Sequence, residues 1–128
     1  MRVFFRVLAR VAALIAMIVL LVFWRPFPKT RGELAARFDI AIGHQKILSY
    51  GMVNPWFPEY ARLMRERYGI EGRMVAGCIV SESTCGYVES YDAVSLAEAR
   101  RRYGRDIAQE TMEEARNRWF QTYAKSTN

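Results

Sequence analysis

The spacing of apolar positions divides this chain into a long uninterrupted run and a patterned remainder. Val11 to Trp24 is a run of fourteen apolar residues, V-A-A-L-I-A-M-I-V-L-L-V-F-W. As helix, fourteen residues rise only about 21 Å, short of the ~30 Å hydrocarbon core of a bilayer. Counted from Val3 the apolar stretch has 22 residues, broken only by Arg6 and Arg10. That length rises about 33 Å, which suffices for a span. Arg2, Arg6 and Arg10 stand four apart, so they share one helix face and would settle at one membrane interface, with Trp24 at the other. A cleavable signal peptide would need small residues at its cut, and Val22-Phe23-Trp24-Arg25-Pro26 offers none. A buried core helix would need a larger protein around it. The pattern therefore predicts an uncleaved signal-anchor over residues 1–25, a Pro-marked linker over 26–33 and a globular domain over 34–128. It places a single-pass protein in the cell inner membrane, with the lipid bilayer as a partner and the domain on the periplasmic side of the envelope.

Within the domain the spacing shifts between strand-like and helix-like. Phe38 to Gly43 alternates weakly, and Lys46 to Val53 reads as a strand. Pro58 suits a first helical turn, Tyr60, Leu63, Met64 and Tyr68 fall at helical spacing, and Gly69 closes the segment. Arg73 to Val80, rich in β-branched residues, predicts a buried strand. Cys85 to Val94 fits either a hairpin strand or a helix. Ser95-Leu-Ala-Glu98 matches a capping box, which would start a short helix ending at Gly104. Ala108, Met112, Ala115, Trp119 and Tyr123 form the stripe of a last helix, with Glu114 and Arg118 paired on its outer side. Arg67-Tyr68-Gly69 and Arg102-Tyr103-Gly104 read as two similar helix ends rather than a duplication. The expected fold class is α+β: an N-terminal transmembrane helix followed by a small domain of two or three strands and about three helices.

Charge changes the picture once it is located. Six of the 19 Lys and Arg residues lie in the first 31 positions, where there is no acid; the rest of the chain holds 13 basic and 13 acidic residues. A neutral domain argues against nucleic-acid binding, which needs its basic excess on the folded surface. The one basic run, Arg100-Arg101-Arg102 with Arg105, fits a solvated helix face paired with Glu98, or a contact with lipid headgroups.

Candidate chemistry is sparse. Cys78 and Cys85 are the only cysteines, and a turn between them would allow a disulfide in an oxidising compartment; the alternative is that Cys78 is a small buried hydrophobe. Their spacing is no redox motif, and with a single histidine, His44, they are too few to hold zinc. No metal or cofactor is expected. Val80-Ser81-Glu82-Ser83, following an apolar run, resembles the Glu-Ser signature of lytic transglycosylases. That resemblance implies Glu82 as a general acid whose pKa is raised by an apolar pocket, with Glu89 or Asp92 as a second carboxylate. Trp56 and Phe57 before Pro58, with Tyr60, suggest a binding surface or a packed corner of the core. Taken together, the anchor, the neutral domain and the lack of a catalytic set predict a membrane-tethered accessory or binding protein of the cell envelope, working through protein contacts. A small tethered glycan-cleaving enzyme is the alternative.

Overall fold

The computed structural model describes the backbone of residues 2–24 and 27–126, and the side chains of residues 6–22 and 27–126. Its elements run α1 (Arg2–Trp24), α2 (Pro28–Ala41), β1 (Lys46–Tyr50), α3 (Phe57–Tyr68), β2 (Glu71–Ala76), α4 (Glu82–Tyr103) and α5 (Ile107–Ser126). Among the described residues the chain is mostly helical, with five helices and one two-stranded parallel sheet. This replaces the expected α+β domain of two or three strands and about three helices.

Among the described residues no helix is long and apolar enough to cross a membrane. Residues 6–22 of α1 are exposed throughout and begin with Arg6 and Arg10. The single-pass transmembrane anchor is thereby overturned, and with it the inner-membrane placement. Of the residues assigned to the membrane interface, Arg6 and Arg10 lie on this exposed helix. The side chains of Arg2 and Trp24 lie outside the described residues, as do Arg25 and Pro26.

Residues 28–33 are the first turns of α2, and Phe38 to Ala41, read as weak alternation, complete it. The buried face of α2 consists of Gly32 and Ala36, so it presents no large apolar period to read. These small residues let α2 lie against α4. A Cβ at Gly32 would collide with Tyr87 O and Ser90 Oγ, and one at Gly86 would stand 3.5 Å from Pro28.

β1, α3 and β2 form a parallel crossover unit. Pro58 sits in the first turn of α3, and Gly69, left-handed at φ 68°, ends it with its N–H donated to Arg65 O. Register runs from Lys46 opposite Glu71 to Ser49 opposite Met74, then slips so that Tyr50 faces Ala76. The segment read as a buried strand over 73–80 is therefore shorter and half-exposed, and Ile79 is 96% exposed.

α4 decides one local reading and overturns another. Cys85 to Val94 is helical, and Ser95 is not an N-cap but a buried residue in mid-helix. Ser81 takes the cap role, its hydroxyl accepting from Thr84 N–H at 3.2 Å. Two apolar clusters result. Ile47, Tyr60, Leu63, Met64 and Ile70 join Ala99, Ile107 and Ala115 beneath the sheet. Leu48 meets Ala36, Val88 and Tyr91 between the sheet, α2 and α4. The two similar helix ends meet: the Tyr68 and Tyr103 rings cross edge-on at 5.0 Å, and the Tyr103 hydroxyl reaches Tyr68 O.

Candidate functional site

A two-stranded sheet has two outer edges, and this one treats them differently. α4 closes the β1 edge. Asp92 Oδ1 accepts the Leu48 N–H at 2.8 Å, and the Ser95 hydroxyl donates to Lys46 O. Gln45, also buried, reinforces the seam by donating from Nε2 to Ser95 O at 2.7 Å. Every outward group used here is backbone that a neighbouring strand would otherwise take. Burial pushes the Asp92 carboxyl up to about 6, against the lowering effect of the Leu48 N–H.

The β2 edge has no such cover. Glu71 N–H donates to Gln45 O at 3.1 Å, so Glu71 and Arg73 turn their backbone toward β1. Parallel alternation then turns the backbone groups of Gly72 and Met74 outward. Among the described residues no hydrogen bond reaches those groups.

Beside this edge lies a polar cleft of about 260 Å³, lined by Asp39, Lys46, Arg73, Tyr87 and Tyr91 among others. Asp39 is already engaged: Lys46 Nζ stands 2.9 Å away, and the Tyr91 hydroxyl donates to it at 2.6 Å. Burial raises the Asp39 pKa, but the bonds from Tyr91 and Lys46 outweigh it and hold the carboxyl below its ordinary value. Burial and the Asp39 carboxylate together drive the Tyr91 phenol far above its usual range. A second cleft, of about 220 Å³, adjoins the first through Val75 and Tyr87 and is lined by Arg31, Ser83 and Thr84. Apolar side chains crowd the carboxyl ends of both strands, where Met52 is 82% exposed and Ile79 lies free.

The residues singled out from sequence are scattered. Trp56 and Phe57 are half-buried against the core and Tyr60 is buried in it, with the Trp56 and Tyr60 rings edge-on at 6.4 Å. They make a packed corner. Cys78 is an exposed free thiol and Cys85 a half-buried one, so the expected disulfide is absent. The Cys85 thiol, with Glu89, instead raises the pKa of the Tyr50 phenol. Glu82 is exposed at the start of α4, without the apolar pocket a general acid needs. Glu89 is exposed too, and Asp92 is spent on the β1 backbone. His44 is exposed on the turn after α2. The basic run pairs as a solvated face: Arg100 with Asp106, Arg101 and Arg102 with Glu98, and Arg105 with Glu110.

Among the described residues no group of three or more metal-ligating side chains forms. Sequence reading missed Arg31, Asp39, Tyr87 and Tyr91. The available signal was weak: Lys46 and Arg73 each open an apolar run, and the register sets them on one sheet face, two positions apart along the paired strands. Compared with protein-family models, curated proteins and solved structures, the chain has no match.

Proposed function

We propose that this domain is a protein-binding module that captures an extended peptide by adding it as a third strand to β2. The observation that carries the reading is the asymmetry of the sheet edges. β1 is sealed by side chains from α4, whereas among the described residues no hydrogen bond reaches the outward backbone groups of the half-buried Gly72 and Met74. Exposed edges that a fold leaves uncovered are templates for strand pairing, and peptide recognition by strand addition uses them directly. Main-chain bonds would supply affinity, and the cleft beside the edge would select side chains.

Selection of a random peptide display library on the immobilised whole chain tests this. Enriched peptides should slow amide exchange at Gly72 and Met74 when bound. They should also lose binding to Met74→Pro, which deletes an outward donor while sparing the ladder to β1. Peptides that leave those amides exchanging freely would sink the reading.

A further inference from the structure

We propose, resting on strand addition at β2, that the captured peptide is acidic, its carboxylates facing Arg73 and Arg31. The two adjoining clefts along the edge hold three cations, Arg31, Lys46 and Arg73, and one acid, Asp39. Lys46 and Asp39 satisfy each other. Among the described residues, the Arg31 and Arg73 side chains make no ion pair or hydrogen bond, which leaves two guanidinium groups without a carboxylate.

What sets these two apart is their place in adjoining clefts along β2, since Arg37, Arg65 and Arg116 on the helical surface likewise pair with no acid among the described residues. Arg62, Arg67, Arg100, Arg101, Arg102, Arg105 and Arg118 are all paired with acids. Guanidinium presents a planar fork that matches a carboxylate in two parallel bonds. Arg73 lies on β2 itself, on the sheet face that carries Lys46 and Leu48. An added strand places alternate side chains on that same face. One acidic residue would therefore meet Arg73, and a second, further along, would approach Arg31 beside the Ser83 and Thr84 hydroxyls. The exposed Met52 and Ile79 at the strand ends add an apolar contact for the peptide's flank.

The same display selection, read for composition, supplies the test. Selected peptides should be enriched in Asp or Glu at alternate positions, and their binding, followed by fluorescence anisotropy, should weaken at high salt. Arg73→Glu should weaken them by about tenfold or more, the loss of one charge-assisted pair. Lysine-substituted versions of the same peptides should bind Arg73→Glu better than they bind the wild type. Circular dichroism checks that Met74→Pro folds, and slowed exchange at Gly72 and Met74 of the wild type replaces that variant if it does not. Selected peptides without charge preference, protecting those amides and indifferent to Arg73→Glu, would overturn the acidic assignment and leave strand addition standing. Failure to select any peptide, or peptides that protect neither amide, would overturn both.

Discussion

Ser95 and Asp92 show how single polar side chains hold the sheet. Each is carried on α4 and spent on β1 backbone, replacing a neighbouring strand bond by bond. Ser95→Ala removes the donor to Lys46 O and an acceptor for Gln45, inside a buried seam. A loss of about 1–3 kcal/mol in urea unfolding is expected, the cost of leaving buried polar groups unmatched. Asp92 behaves differently because its carboxylate is disfavoured where it sits. Its folded pKa of about 6 exceeds the reference 3.8, so the folded state binds the proton more tightly. This contribution favours folding most at low pH, is lost as pH rises from about 4 to 6, and stays lost above. Asp92→Asn keeps an oxygen to accept the Leu48 N–H and removes the charge. At pH 7.5 it should be more stable than the wild type by about 1–2 kcal/mol, after discounting for partial exposure, and the gain should vanish near pH 4. Urea midpoints of both proteins at the two pH values decide it, and equal midpoints at pH 7.5 would refute the burial argument.

At the scale of elements, the contact between α2 and α4 depends on the absence of side chains. Gly32→Ala drives a Cβ into Tyr87 O, a backbone atom that has nowhere to go, and into the Ser90 hydroxyl. Destabilisation of about 1–3 kcal/mol is expected, as for other overpacked interiors. Gly77→Ala serves as the control, since open space surrounds that position, and should stay within about 0.5 kcal/mol. The same feature explains what sequence could reveal. α3 buries Tyr60, Leu63 and Met64 at helical spacing, so its period, Pro58 and Gly69 were legible. α5 instead buries Ile107, Thr111 and Ala115; of these the predicted stripe held only Ala115, and it placed the exposed Tyr123 on the inner face. α2 and α4 bury mainly small residues, Gly32, Ala36, Gly86, Ser95 and Ala99, with Val88 and Tyr91 the only large ones, which leaves little hydrophobic period to read. Ser95-Leu-Ala-Glu98 satisfied a local capping pattern that only the packing of α4 on β1 overrides. The candidate site was less legible still, because it consists of strand-edge backbone and of cations brought together from α2, β1 and β2.

For the molecule as a whole, the division between α1 and the rest has physical consequences. Both apolar clusters draw on residues from Ala36 to Ala115, and among the described residues none comes from α1. Side chains from Val7 to Val22, by contrast, leave a large contiguous apolar surface exposed. Surfaces of that kind on an isolated chain drive association. A chain trimmed to residues 27–128 should therefore unfold in one cooperative transition, with a urea midpoint matching that of the whole chain. Its solution behaviour should differ: sedimentation should show the trimmed chain as a single small species and the whole chain as larger assemblies in the same buffer. The thiols offer an independent check on the trimmed chain, since Cys78 is exposed and Cys85 half-buried. Maleimide should label Cys78 fast and Cys85 slowly without prior reduction, and reductant should leave the midpoint unchanged. A midpoint that drops on trimming would mean that α1 contributes to the folded core. Assemblies that persist after trimming would move the source of association from α1 to the domain, with the open β2 edge as the first surface to test by Met74→Pro.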